Sequence, residues 1–73
     1  MNCILNRIDE SKYYILFKRI LAKNDVSPKY VIYRTQEFGG DLFEDFYYLT
    51  EARRIFKKAT KEAIEHEQIL NSN

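Results

Sequence analysis

The sequence predicts an α+β fold: a three-stranded antiparallel sheet (β-β-β-α) with one C-terminal amphipathic helix packed on one face. Three observations carry the prediction. Two β-rich runs flank Gly39-Gly40, a further run of sheet-forming side chains occupies residues 13–21, and after Leu49 the apolar spacing changes from that of a strand to that of a helix. The 73 residues are expected to form a single small α+β domain over 1–73, since a chain of this length has no room for a second core.

Residues 13–21 fit two periods. Tyr13, Leu16, Phe17 and Ile20 lie at helical spacing, whereas Tyr13, Ile15, Phe17 and Leu21 alternate as in a strand. Tyr, Ile and Phe favour the sheet, and Asn24-Asp25 and Ser27-Pro28 then supply turn chemistry in a polar connection over 22–28, so a strand is favoured with a helix as the alternative. Pro28 separates this element from the next, because the residue before a proline avoids helical geometry.

Residues 30–38 and 41–48 are expected to form a hairpin, with Gly39 and Gly40 supplying the positive φ angles of a two-residue turn. Counting back from that turn sets Arg34 opposite Asp45, Ile32 opposite Tyr47, Gln36 opposite Phe43 and Tyr33 opposite Phe46. This register brings opposite charges and aromatic pairs together, as cross-strand energetics favour.

A helix is expected over 51–69. Thr50 is a candidate N-cap, and Ala52, Ile55, Phe56, Ala59, Ala63 and Leu70 form one apolar stripe. The small Ala59 and Ala63 would let the backbone approach the sheet, with Phe56 as the main anchor. Asn71-Ser72-Asn73 is expected to fray.

Composition narrows the functional classes. Hydrophobic residues at 45% against 32% charged exclude a disordered chain, and aromatics at 15% give a small core more buried area per side chain. Cys3 is the single cysteine, so no internal disulfide can staple the fold, and a free thiol suits the reducing cytoplasm. Cys3 and His66 are too few ligands for a structural zinc, so neither metal nor other cofactor is expected. The N-terminus lacks the long apolar run and cleavage site of a signal peptide, and Lys18 and Arg19 interrupt the richest apolar stretch well short of a membrane span. A cytoplasmic protein without membrane contact is expected. Small domains without disulfides or metal commonly gain stability from a partner or a second copy, so a homodimer is expected too.

Catalytic chemistry has little to work with. His66 lies one turn after Glu62, but nothing else converges on it, and a half-buried His beside Ala63 and Leu70 accounts for its position. Cys3 has no basic neighbour before Arg7 to lower its pKa. Gly39-Gly40 is followed by Asp41 and Glu44 rather than the Lys-Ser/Thr of a phosphate loop, and the acidic group Glu37, Asp41, Glu44 and Asp45 lacks the spacing of a calcium loop. No enzymatic role is therefore expected.

Charge placement says more than net charge. The formal +1 divides as seven basic against four acidic residues over 1–40, and five against seven over 41–73. Within the helix Arg53, Arg54, Lys57, Lys58 and Lys61 share the face opposite the apolar stripe, while Glu62, Glu65 and Glu67 follow toward the C-terminus. That order opposes the macrodipole, and Arg53–Lys57–Lys61 and Arg54–Lys58 are like charges one turn apart. Local choices that weaken a helix mark a functional surface, here one for an acidic partner; the alternative is a solvated face partly neutralised by Asp41, Glu44 and Asp45. The hairpin carries rings on both faces. Val31, Tyr33, Phe46 and Leu49 are assigned to the core, which leaves Tyr30, Ile32, Phe43 and Tyr47 facing outward as a second partner-binding surface.

The expectation is a non-enzymatic protein-interaction module that uses the aromatic sheet face and the basic helix face. In size and layout the chain looks like the small β-α proteins of phages and mobile elements, some of which, such as the anti-CRISPR proteins, act as inhibitors of host machinery. That likeness is one of scale and architecture, and implies an inhibitor or adaptor of a host protein. The alternative is a nucleic-acid-binding protein that stacks bases on the sheet and tracks phosphates with the helix; the near-zero net charge and the acidic hairpin weigh against it.

Overall fold

The computed structural model describes residues 4–71, so Cys3 and the expected fraying of Ser72 and Asn73 lie outside the described residues. In chain order the elements are β1 (Ile4–Glu10), β2 (Tyr14–Ile20), β3 (Tyr30–Arg34), a short 3-10 turn (Gln36–Phe38), β4 (Leu42–Phe46) and α1 (Leu49–Asn71). The strands form one antiparallel sheet in the order β1-β2-β3-β4, and α1 packs on one of its faces. The α+β class is as expected. The sheet has four strands rather than three, because Ile4–Glu10 pairs along the whole of β2. Its alternation is blurred by charged residues on both faces and by a register shift between Arg7 and Asp9, which leaves Ile8 directed at the core.

Residues 14–20 are a strand, as the β-branched and aromatic content favours. The turn before it is built on Ser11, whose Oγ accepts hydrogen bonds from the backbone N–H groups of Tyr13 and Tyr14. Thr35 ties this turn to the next one. Its N–H donates to the Tyr13 carbonyl at 3.0 Å and its hydroxyl to the Lys12 carbonyl at 2.9 Å.

The second hairpin departs from the expected register. Gly39 and Gly40 do adopt positive φ, at 117° and 68°. The loop, however, takes more than the two glycines: Gln36–Phe38 coils into the 3-10 turn, and the N–H groups of Phe38 and Gly40 both donate to the Thr35 carbonyl. Tyr30 therefore faces Phe46, Val31 faces Asp45 and Ile32 faces Glu44. Relative to the expected pairing these partners slip by three positions, and an odd slip turns one strand over relative to the other, so β3 presents Ile32 rather than Val31 on the side that Phe46 shares with the helix.

The core follows from that exchange. Leu16, Ile32 and Phe46 of the sheet bury against Ala52 and Phe56 of the helix, with Ile8, Tyr14, Tyr30, Phe43, Leu49 and Ile55 around them. Each of the larger side chains contributes roughly 1.5–3 kcal/mol on leaving water. Tyr30 and Ile32, expected to face outward, thus line the helix side, Phe43 joins them through the register shift between Ile32 and Tyr33, and Val31 and Tyr33, assigned to the core beneath the helix, lie on the opposite side. The helix begins at Leu49, so Thr50 sits in its first turn rather than capping it, and Ala52 N–H donates to the Tyr48 carbonyl. Of the expected stripe, Ala52, Phe56 and Ala59 are buried and Ile55 and Ala63 half-buried, but Leu70 is exposed, because the sheet does not extend under the last turns of the helix. Further along, the Thr60 hydroxyl meets Ser11 Oγ at 3.1 Å, and Glu67 accepts from Lys12 Nζ at 3.0 Å and from the Tyr13 hydroxyl. These contacts fasten the C-terminal half of α1 to the β1–β2 turn.

Candidate functional site

Two surfaces stand out, on opposite sides of the molecule. The first is the outer face of α1, where Arg53, Arg54, Lys57, Lys58 and Lys61 are all exposed. Helical spacing with Ala52, Phe56 and Ala59 turned inward directs these five side chains away from the sheet. None of the five forms an ion pair among the described residues. The acids expected to neutralise them are otherwise placed: Asp41 pairs with Arg34 at 2.8 Å, Asp45 lies 3.9 Å from Arg19, and Glu44 makes no ion pair among the described residues. The surface is therefore five like charges within three turns, with Leu49 and Thr50 beside Arg53, Arg54 and Lys57 in a shallow hollow.

The second surface is the sheet face that α1 leaves uncovered. Cross-strand register sets its side chains in rows. One row runs Glu10, Ile15, Tyr33, Leu42, the next runs Arg7, Phe17, Val31, Asp45, and Leu5 and Arg19 follow. The Phe17 and Tyr33 rings meet edge to face, with centroids 5.9 Å apart. Val31 is fully buried although no helix lies on its side. Charged residues flank this apolar centre: Arg7 pairs with Glu10 at 3.0 Å, and Arg19 donates to the Pro28 carbonyl at 3.0 Å while facing Asp45.

No protein-family model, curated protein or solved structure matches this chain.

Of the residues expected to bind a partner, the five helix cations lie together on one exposed face. Tyr47 is exposed too, at 62%, but it follows β4 rather than standing on the open sheet. Tyr30, Ile32 and Phe43 are not surface groups: Ile32 is fully buried, Tyr30 and Phe43 pack around the core, and the Phe43 ring lies 4.9 Å from that of Tyr14 and 5.2 Å from the Arg34 guanidinium. The open face is instead built from Leu5, Ile15, Phe17, Tyr33 and Leu42. The alternation Ile15-Phe17-Arg19 against Leu16-Lys18 marks two faces of β2, and only the register of the neighbouring hairpin says which face the helix takes.

The remaining chemistry-bearing groups gather at the C-terminal half of α1. Lys12, Tyr13, Glu37, Phe38, His66 and Leu70 are among the residues lining a groove of about 350 Å³, with the Tyr13 and Phe38 rings 4.9 Å apart. Lys12 has its pKa raised by the hydrogen bond and the charge of Glu67, with a smaller push from Glu37. Glu67 is thereby committed to Lys12 and Tyr13, while His66 is exposed and forms no hydrogen bond with Glu62. Among the described residues no three His, Cys, Asp or Glu side chains converge on a point that could hold a metal, and no helix is long and apolar enough to cross a membrane.

Proposed function

We propose that this protein is a non-enzymatic protein-interaction module that docks the outer face of α1 on an acidic surface of a partner protein. The observation that carries this reading is the set Arg53, Arg54, Lys57, Lys58 and Lys61, exposed together and without an ion pair in the described residues. Like charges at i, i+4 each weaken an isolated helix by roughly 0.2–0.5 kcal/mol, a cost offset when an acidic surface meets them. Such complementarity raises the association rate and selects the partner by charge. In this role the chain acts in the cytoplasm as an adaptor or inhibitor, in the manner of the small phage and mobile-element proteins it resembles in scale, and it works as a homodimer.

The same cations suit a phosphate backbone, so a nucleic-acid binder is the second reading. One titration separates the two. Fluorescent poly-glutamate and a fluorescent oligonucleotide of equal charge are titrated with the wild-type protein and with the triple variant Arg54→Glu, Lys57→Glu, Lys61→Glu at low and moderate salt. Poly-glutamate binding that is as tight as oligonucleotide binding, and that falls about tenfold or more in the variant, supports the acidic-protein reading. Strong preference for the oligonucleotide moves the nucleic-acid reading to first place. Binding unchanged by the triple reversal overturns both.

A further inference from the structure

The open face of the sheet has a charge order that suits a second copy of itself. Its central row reads Arg7 on β1, Phe17 on β2, the fully buried Val31 on β3 and Asp45 on β4, so a cation stands at one edge and a carboxylate at the other, each with an opposite charge of its own copy nearby, Glu10 at 3.0 Å from Arg7 and Arg19 at 3.9 Å from Asp45. We propose that two copies of this chain pack open face to open face about a two-fold axis parallel to the strands. This rests on the homodimer included in the proposed function and says where that homodimer forms and how it is oriented.

The orientation follows from symmetry. A two-fold axis lying between two facing sheets and running along the strands reverses their strand order, so β1 of each copy lies over β4 of the other. Arg7 of each copy then meets Asp45 of the other, and in the adjacent row Ile15 lies over Tyr33, while the half-buried Phe17 of each copy is set over the β3 strand of the other, whose Val31 is already fully buried within its own copy. The other in-plane axis, across the strands, would set Arg7 on Arg7 and Asp45 on Asp45. Arg7 and Asp45 both have surface left for the contact, with side chains 54% and 41% exposed. Arg19, at 3.9 Å from Asp45, and Glu10, at 3.0 Å from Arg7, complete a balanced cluster at each edge. Aligned packing of this kind brings sheets to about 10 Å separation.

Other surfaces are poorer places for a copy to dock. The outer face of α1 repels its own copy through five cations. Both sheet edges are blunted, β1 by the register shift at Ile8 and the charges of Arg7, Asp9 and Glu10, and β4 by its own register shift and Glu44 and Asp45. With four strands of five to seven residues the open face measures roughly 19 by 20 Å, on the order of 400 Å² in projection. That is below the ~800 Å² per partner of a standard interface, so the dimer is weak and concentration-dependent. Its consequence is bivalency: each helix lies on the outer side, and the dimer presents two basic faces in opposite directions.

Sedimentation velocity of the full chain from about 5 to 500 µM provides the test, since weak interfaces dissociate in this range. Wild type is expected to pass from monomer to dimer. Arg7→Glu and Asp45→Arg are each expected to raise the dimer dissociation constant about tenfold or more, because each sets like charges against each other. Mixing the two variants is expected to restore association as a heterodimer. At one of its edges the introduced carboxylate meets the introduced guanidinium, and at the other the native Arg7 and Asp45 meet. Circular dichroism of each variant distinguishes lost association from lost fold, and restoration on mixing requires that both fold. A wild-type monomer at every concentration overturns the homodimer itself. A dimer that survives both single reversals, or variants that stay monomeric when mixed, overturns this orientation, and the first of these leaves the homodimer standing on another surface.

Discussion

Asp25 shows how much of the loop between β2 and β3 depends on one carboxylate. Its Oδ1 accepts the Ser27 N–H at 2.8 Å while its own N–H donates to the Ala22 carbonyl at 3.0 Å. The hydrogen bonds from Ser27 lower its pKa, with a smaller contribution from Arg19. A carboxyl with a depressed folded-state pKa adds stability that is present above its unfolded value and is lost as pH falls through the folded value. Asp25→Asn is therefore expected to be less stable than wild type at neutral pH, and the gap should begin to narrow below the ordinary aspartate value of 3.8 and close only once pH has fallen below the lower folded-state value. Thermal unfolding followed at several pH values between neutrality and strong acid checks both parts. Gly39 makes a second prediction at this scale. At φ 117°, an added Cβ would lie 2.9 Å from Asp41 Oδ1, so Gly39→Ala should cost on the order of 1–2 kcal/mol in a chemical denaturation curve.

Registers decide what the elements do. The apolar stripe after Leu49 reads as a helix because its pattern is local and repeated, whereas the run of 13–21 fits two periods and only its Tyr, Ile and Phe content favours the strand that forms over Tyr14–Ile20. The pairing of β3 with β4 is legible as a hairpin, but its register is not. Two glycines invite a two-residue turn, and nothing in Gln36-Glu37-Phe38 announces that these residues coil under Thr35 instead. Three positions of slip then carry Ile32 from the outer surface into the core. Ile32→Ala is accordingly expected to destabilise the protein by about 2–5 kcal/mol in equilibrium denaturation, as for a buried branched side chain. A surface position would give a change within about 0.5 kcal/mol. β1 is hidden from sequence reasoning for a related reason. Its bulge at Ile8 breaks the period of two, and Arg7, Asp9 and Glu10 resemble a polar lead-in until β2 is there to pair with them.

At the scale of the whole molecule, one sheet with one helix leaves two unlike surfaces back to back. The helix outer face carries five cations between Arg53 and Lys61, and the open sheet face is balanced in charge around half-buried apolar side chains. A partner that recognises one cannot reach the other without wrapping around the domain. Reversal of Arg54, Lys57 and Lys61 should consequently abolish acidic-partner binding without changing the sedimentation behaviour, whereas Arg7→Glu should do the converse. An additive double-mutant result across the two assays would show that the surfaces act independently.

The chain by itself determined the α+β class, the long amphipathic helix and the five cations on its outer face, and it favoured without deciding the strand at 14–20. Each of these is set by local propensity and by periodicity within one element, which neighbouring residues in the chain specify directly. Only the tertiary structure decided that there is a fourth strand, which face of the sheet the helix covers, and that Phe17, Val31 and Tyr33 rather than Tyr30, Ile32 and Phe43 stand on the open side. Those outcomes depend on pairing between strands, where a loop a few residues longer costs little in closure entropy but an odd slip turns one strand over relative to its partner, here β3 relative to β4.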